Sequence, residues 1–181
     1  MSIGKDYLDT AVRRLKYYKS LADKTFEQLQ DTGFHFQPNA ESNSIAIIIQ
    51  HMSGNMLSRW TNFLMEDGEK EWRQRDDEFE IHSNSKQDLL ERWEKGWDCF
   101  FGTLGSLTKK DLKKTIHIRQ EPLTVIDAIN RQLAHYPYHI GQIIYIGKIL
   151  KDKDWKNLSI PKGDSAQYNS SQQVKDPAKK F

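Results

Sequence analysis

TVIDAINRQLAHYPYHIGQIIYIGKIL, residues 124–150, is a run in which apolar side chains recur mostly every three or four positions. That period is typical of an amphipathic helix with one face turned to a core. Thr124 followed three residues later by Asp127 is a helix-start signal. At about 1.5 Å per residue the helix would span about 40 Å, which is long enough for a helical bundle.

Three more stretches show the same periodicity. They run from about Tyr7 to Leu29, from the capping pair Asn43–Ser44 to about Met65, and from Ser85, with Asp88 as its capping partner, to Gly102 and Gly105. Together the four stretches predict an all-α fold, a four-helix bundle. Residues 115–118 alternate in polarity, which indicates a short extended piece, too short to build a sheet around.

Two segments connect or follow these helices. Residues 66–84 form a charged connection between the second and third helices that is longer than bundles usually need, which favours a functional loop. Residues 151–181 form a polar C-terminal arm, whose first part, around Trp155 and Leu158, is expected to pack back on the body. Residues 175–181 are expected to fray. We expect one domain over residues 1–181.

Composition excludes several function classes. The 27 basic and 25 acidic side chains are interleaved and leave a net charge of +2, so we expect no nucleic-acid partner. No run of about 18 apolar residues predicts a membrane span. The single cysteine, Cys99, and the lack of an N-terminal signal pattern indicate a reducing, cytoplasmic location.

Two histidines in the last predicted helix have a metal-binding spacing. His135 and His139 are four residues apart, which places both imidazoles on one helix face. A catalytic metal needs a further donor. We choose His51 because it lies inside a strongly predicted helix near the apolar side. Three neutral imidazoles would leave coordination positions open for water or for an anionic group of a substrate.

Several polar residues accompany this candidate site. Asn55 and Gln142 lie one helical turn beyond His51 and His139, and could orient the ligands or a substrate; hydrogen bonding to the backbone is an equal alternative. Arg59, with Arg73 and Arg75, could receive an anionic small-molecule substrate.

The three histidines, with the run from Ala134 to Gln142, resemble the DinB/YfiT-like superfamily of metalloenzymes over nearly the whole chain. Further runs, at residues 51–55, 67–70, 73–76 and 158–163, are similar to a bacterial branch of unknown function. The resemblance implies a four-helix bundle, a three-histidine site for zinc, nickel or a related divalent ion, and homodimers. Some relatives are thiol transferases, but no thiol-binding motif is evident here.

Two hypotheses follow. The first is a metal-dependent enzyme, either thiol-S-transferase-like or hydrolase-like, with the metal as a Lewis acid that generates the nucleophile. The second is a non-enzymatic, dimeric helical bundle with a stress or interaction role and a vestigial metal site. No acidic residue lies between His135 and His139 as a general base, which disfavours peptide hydrolysis.

Overall fold

The computed structural model describes residues 2–82 and 84–181. Within them the chain is mostly helical, with six α-helices and one small sheet of two strands. Met1, in the predicted domain, and Ser83, in the predicted connection, lie outside the described residues. The helices are α1 (Ile3–Phe26), α2 (Asp31–Phe34), α3 (Ile45–Trp60), α4 (Lys86–Ser106), α5 (Val125–Lys151) and α6 (Ser165–Ser170), and the strands are β1 (Thr115–Ile118) and β2 (Glu121–Thr124).

Three of the four predicted long-helix starts are confirmed by their caps, whereas α1 begins at Ile3, ahead of the predicted Tyr7, without a side-chain cap hydrogen bond. The Ser44 hydroxyl accepts a hydrogen bond from the Ile47 backbone N–H at the start of α3. The Thr124 hydroxyl accepts one from the Asp127 backbone N–H at the start of α5. Ser85 and Asp88 form a reciprocal capping box at the start of α4. Each cap satisfies an N–H that has no partner within its helix, so the start is fixed by local chemistry.

The end of the second long helix differs from the prediction. We expected it to reach about Met65, but α3 ends at Trp60 because Thr61 is extended and Asn62 has a φ of 50°. The apolar period continues past the break, since Phe63 is buried and stacks on Trp60 at a ring-centroid distance of 4.4 Å. Periodicity alone therefore does not reveal this helix end.

The long helices share one core. α3 packs chiefly against α4, α1 packs chiefly against α5, and α3 also contacts α5. Tyr136, on α5, is fully buried, and its ring lies 5.5 Å from that of Trp97 and 5.3 Å from that of Phe100. These aromatic contacts fix α5 against the rest of the core, next to the position of His135.

A β-hairpin follows α4. β1, which is the predicted extended piece, pairs antiparallel with β2, in which Pro122 lies opposite His117. Both turn residues adopt the left-handed backbone conformation, with φ of 55° at Arg119 and 66° at Gln120. Asp67 accepts hydrogen bonds from the backbone N–H groups of both turn residues, at 2.9 and 2.7 Å. The hairpin thereby anchors the start of the 66–84 connection.

The C-terminal arm lies against α1. Arg14 makes two hydrogen bonds to Asp176, at 2.6 and 2.8 Å, and Ala178 is only 2% exposed. The end of the chain is thus a short 3₁₀ turn held by an ion pair, not the frayed end that the sequence predicted. In the described part of the chain, no helix combines the length and apolar character that crossing a membrane requires.

Candidate metal centre

Three imidazoles from two helices meet at one point. His51 comes from α3, and His135 and His139 come from successive turns of α5. The Nε2 atom of His135 lies 3.4 Å from that of His51 and 3.0 Å from that of His139. His51 and His139 are buried, whereas His135 is half-buried. The cluster therefore lies near the surface, with His135 as its accessible member.

The other nitrogen of each ring faces an oxygen. Nδ1 of His51 lies 3.0 Å from a carboxylate oxygen of Glu78, and Nδ1 of His139 lies 3.0 Å from Oε1 of Gln142. Nδ1 of His135 lies 3.4 Å from Oε1 of Gln132. These oxygens accept hydrogen bonds from the rings when each Nδ1 carries the proton. In that tautomer all three Nε2 atoms keep a lone pair that can bind a cation.

The geometry and chemistry of this donor set fit a divalent cation. Three lone pairs that converge without a proton between them repel one another, and a cation among them removes that repulsion. Ligand atoms bound tetrahedrally at 2.0–2.1 Å lie about 3.3 Å apart. The two separations from Nε2 of His135 are 3.0 and 3.4 Å, and one ligand atom from each of the three histidines lies within 4.8 Å of the others. His51, His135 and His139 can therefore hold a metal ion.

The surroundings favour the neutral forms of His135 and His139. Burial, followed by the nearby His139 and His51, lowers the pKa of His135 to about 3. Burial is also the main reason why the pKa of His139 is lowered, although its hydrogen bond with Gln142 opposes the shift. A neutral imidazole is the form that coordinates metal, so the environment favours the binding form of His135 and His139.

Glu78 is the residue that sequence reasoning missed. It lies in a short 3₁₀ helix, Asp77–Phe79, within the 66–84 connection. Oε2 of its carboxylate contacts Nδ1 of His51. Arg73 donates two hydrogen bonds to the same carboxylate, from Nε to Oε1 at 2.7 Å and from Nη2 to Oε2 at 2.9 Å. Burial raises the pKa of Glu78, but the hydrogen bonds from His51 and Arg73 outweigh it and lower the pKa overall.

Gly54 makes room for this carboxylate. A Cβ atom at position 54 would overlap Oε1 of Glu78 and would lie 2.7 Å from its Cδ. On the same side the Phe79 ring packs on the His51 ring at a centroid distance of 4.9 Å. The connection between α3 and α4 thus covers His51. Its unusual length was a signal that it carries function, but no spacing rule singled out Glu78.

The other candidate residues lie in different surroundings. Gln142 contacts His139, as described above, whereas Asn55 accepts a hydrogen bond from the Tyr136 hydroxyl in the core. Arg59 is buried and bonds to the Gly68 carbonyl and to Glu69. Of the other two arginines proposed for an anionic substrate, Arg73 is committed to Glu78, and Arg75 lies over the Phe79 ring at 5.2 Å.

Comparison with known proteins identifies the family. A family model described as "Protein of unknown function (DUF1572)" matches residues 2–164. The chain therefore belongs to this uncharacterised family. Searches of the curated proteins and of the solved structures each found no match.

Proposed function

We propose that the protein is a divalent-metal-dependent enzyme whose metal ligands are His51, His135 and His139. The observation that carries this proposal is the convergence of three Nε2 atoms, each on a ring whose Nδ1 is engaged by an oxygen. We further propose that the four long helices form a four-helix bundle of the DinB-like superfamily, which the packing of α3 on α4 and of α1 on α5 supports.

A site with three histidine ligands is typical of a catalytic metal centre and not of a structural one. Structural zinc sites are closed by four protein ligands, whereas catalytic sites keep three and leave a position for water or substrate. A divalent ion here would supply Lewis acidity, which favours the deprotonated form of a water or a thiol. The half-buried His135 marks the side from which a small-molecule substrate would enter. We propose a thiol-S-transferase-like or hydrolase-like reaction on this basis.

Metal analysis tests the site directly. Protein purified without a histidine tag is expected to contain about one zinc or nickel ion per chain by elemental analysis, and His135→Ala and His139→Ala are expected to lose it. His117→Ala is the matched control, because His117 lies on the exposed side of β1. Unchanged metal content in both cluster variants would exclude the proposed ligand set.

A substrate screen separates the two functional hypotheses. Metal-loaded protein is assayed with pairs of low-molecular-weight thiols and electrophiles, and with hydrolysable esters. Activity that disappears in His51→Ala supports the enzyme. A bound metal without activity in the full screen favours the alternative, a non-enzymatic helical protein with a vestigial site. The homodimer and the cytoplasmic location remain predictions.

A further inference from the structure

We propose that Glu78 is a positioning residue for the metal centre, which holds His51 in the tautomer that binds metal, and that Gly54 is glycine in order to admit it. This inference rests on the proposed function, because it assigns Glu78 a role toward the same ion. It does not make Glu78 a ligand: its carboxylate contacts Nδ1 of His51, on the far side of the ring from the Nε2 atoms.

The first argument is the tautomer. A free neutral imidazole carries its proton on either nitrogen, and a ring protonated at Nε2 cannot bind a cation there. A carboxylate 3.0 Å from Nδ1 holds the proton on that nitrogen and leaves Nε2 as a lone-pair donor. The carboxylate also makes the imidazole a stronger base toward a metal. His135 and His139 face neutral amide oxygens instead, so His51 alone of the three has a charged partner.

The second argument is that the fold holds this carboxylate in place although burying a charged group is unfavourable. Glu78 is only 9% exposed, and a buried carboxylate is unfavourable unless it is paired and hydrogen-bonded. Arg73, itself buried, supplies two hydrogen bonds, and the Gln50 amide donates to the Glu78 backbone carbonyl at 3.2 Å. Arg73 thus holds the carboxylate itself, Gln50 holds the backbone of Glu78, and Oε2 also contacts His51.

The third argument is the glycine. Gly54 lies inside α3, where glycine costs about 1 kcal/mol relative to alanine. An alanine there would overlap the Glu78 carboxylate, which cannot move aside without breaking its bonds to Arg73 and His51. A helix-weakening residue at this place is explained by the space that the carboxylate needs.

Two variants test the proposal through metal affinity. Glu78→Gln removes the charge, and Gly54→Ala displaces the carboxylate while it leaves every charge in place. We expect each to weaken zinc binding about 10- to 100-fold, measured by competition with a chromophoric chelator. Gly102→Ala is the matched control, because a Cβ at this helical glycine meets nothing within 4 Å, and its zinc affinity should equal that of the wild type. Wild-type affinity in either test variant would overturn the proposal.

A second readout is independent of bound metal. Nitrogen-15 NMR of the histidine side chains in the metal-free protein reports which nitrogen of His51 is protonated. We expect the Nδ1–H tautomer in the wild type and a mixture in Gly54→Ala. A wild-type His51 protonated at Nε2 overturns the inference. If the wild type binds neither zinc nor nickel, the proposed function fails, and the NMR result alone decides whether Glu78 sets the tautomer.

Discussion

The indole Nε1 of Trp60 donates to the hydroxyl of Tyr136 at 3.2 Å, and that hydroxyl donates in turn to Oδ1 of Asn55, also at 3.2 Å. This buried chain joins α3 to α5 next to His135. It holds the two helices that carry the histidines in a fixed relation. Burial raises the pKa of Tyr136, so the phenol stays protonated and remains a donor.

Tyr136→Phe tests the strength of this link. The substitution leaves the Trp60 N–H and the Asn55 amide oxygen buried without their partner, which should lower the free energy of unfolding by about 1–3 kcal/mol. Urea unfolding of the metal-free protein measures the change. Tyr138→Phe is the control, because Tyr138 is 62% exposed. Equal losses in the two variants would show that the buried hydroxyl has no special role.

Local signals in the sequence explain which parts of the fold were predictable. Ser85 and Thr124 fix their helix starts through residues three positions away, so both starts follow from the sequence. His51 was found because it lies on the inner side of a periodic helix. Glu78 lies 27 residues from its partner in an aperiodic connection, and such a contact is set by tertiary packing alone.

The hairpin was partly missed for a related reason. A two-residue turn with both φ values positive is usually marked by Asn-Gly or Asp-Gly, but here the turn is Arg119–Gln120. Asp67, far away in the chain, accepts from both of their N–H groups. The turn is therefore stabilised by a residue whose role no local pattern reveals, and β2 was not predicted.

This strained turn gives a stabilising prediction. Gln120→Gly should raise the free energy of unfolding by about 1 kcal/mol, because glycine adopts a φ of 66° without the steric cost that other residues incur. The Asp67 hydrogen bond to the backbone of residue 120 is retained. Thermal or urea unfolding measures the gain, with Gln120→Ala as the control that keeps a Cβ. If alanine stabilises the protein as much as glycine does, the strain is not in the backbone.

The buried pair of Arg73 and Glu78 gives a destabilising prediction. Arg73→Met leaves the carboxylate of Glu78 buried with only His51 to compensate it, and breaking a buried ion pair in this way costs about 3–5 kcal/mol. Urea unfolding of the metal-free protein measures the loss. Arg75→Met, at an arginine whose side chain is 48% exposed, should change stability by less than about 0.5 kcal/mol. A similar effect of both changes would contradict a buried pair.

Asp67 predicts how part of the stability depends on pH. Burial raises the pKa of its carboxyl, but backbone N–H donors from Glu69, Gln120 and Arg119 outweigh this and lower the pKa overall. Because the folded state then binds its proton less readily than the unfolded state, this stabilisation is present above about pH 4 and is lost as the pH falls through the lowered pKa.

Asp67→Asn should therefore be less stable than the wild type at pH 7, because the amide lacks the charge and presents one accepting oxygen in place of two. The difference should shrink as the pH is lowered from 5 toward 3, since the unfolded wild type takes up its carboxyl proton in this range before the folded state does. Urea unfolding at a series of pH values measures it. Asp76→Asn, at a fully exposed carboxyl, should show a small difference that varies little with pH. A difference for Asp67→Asn that stays constant down to pH 3 would mean that the charge of Asp67 does not hold the hairpin turn.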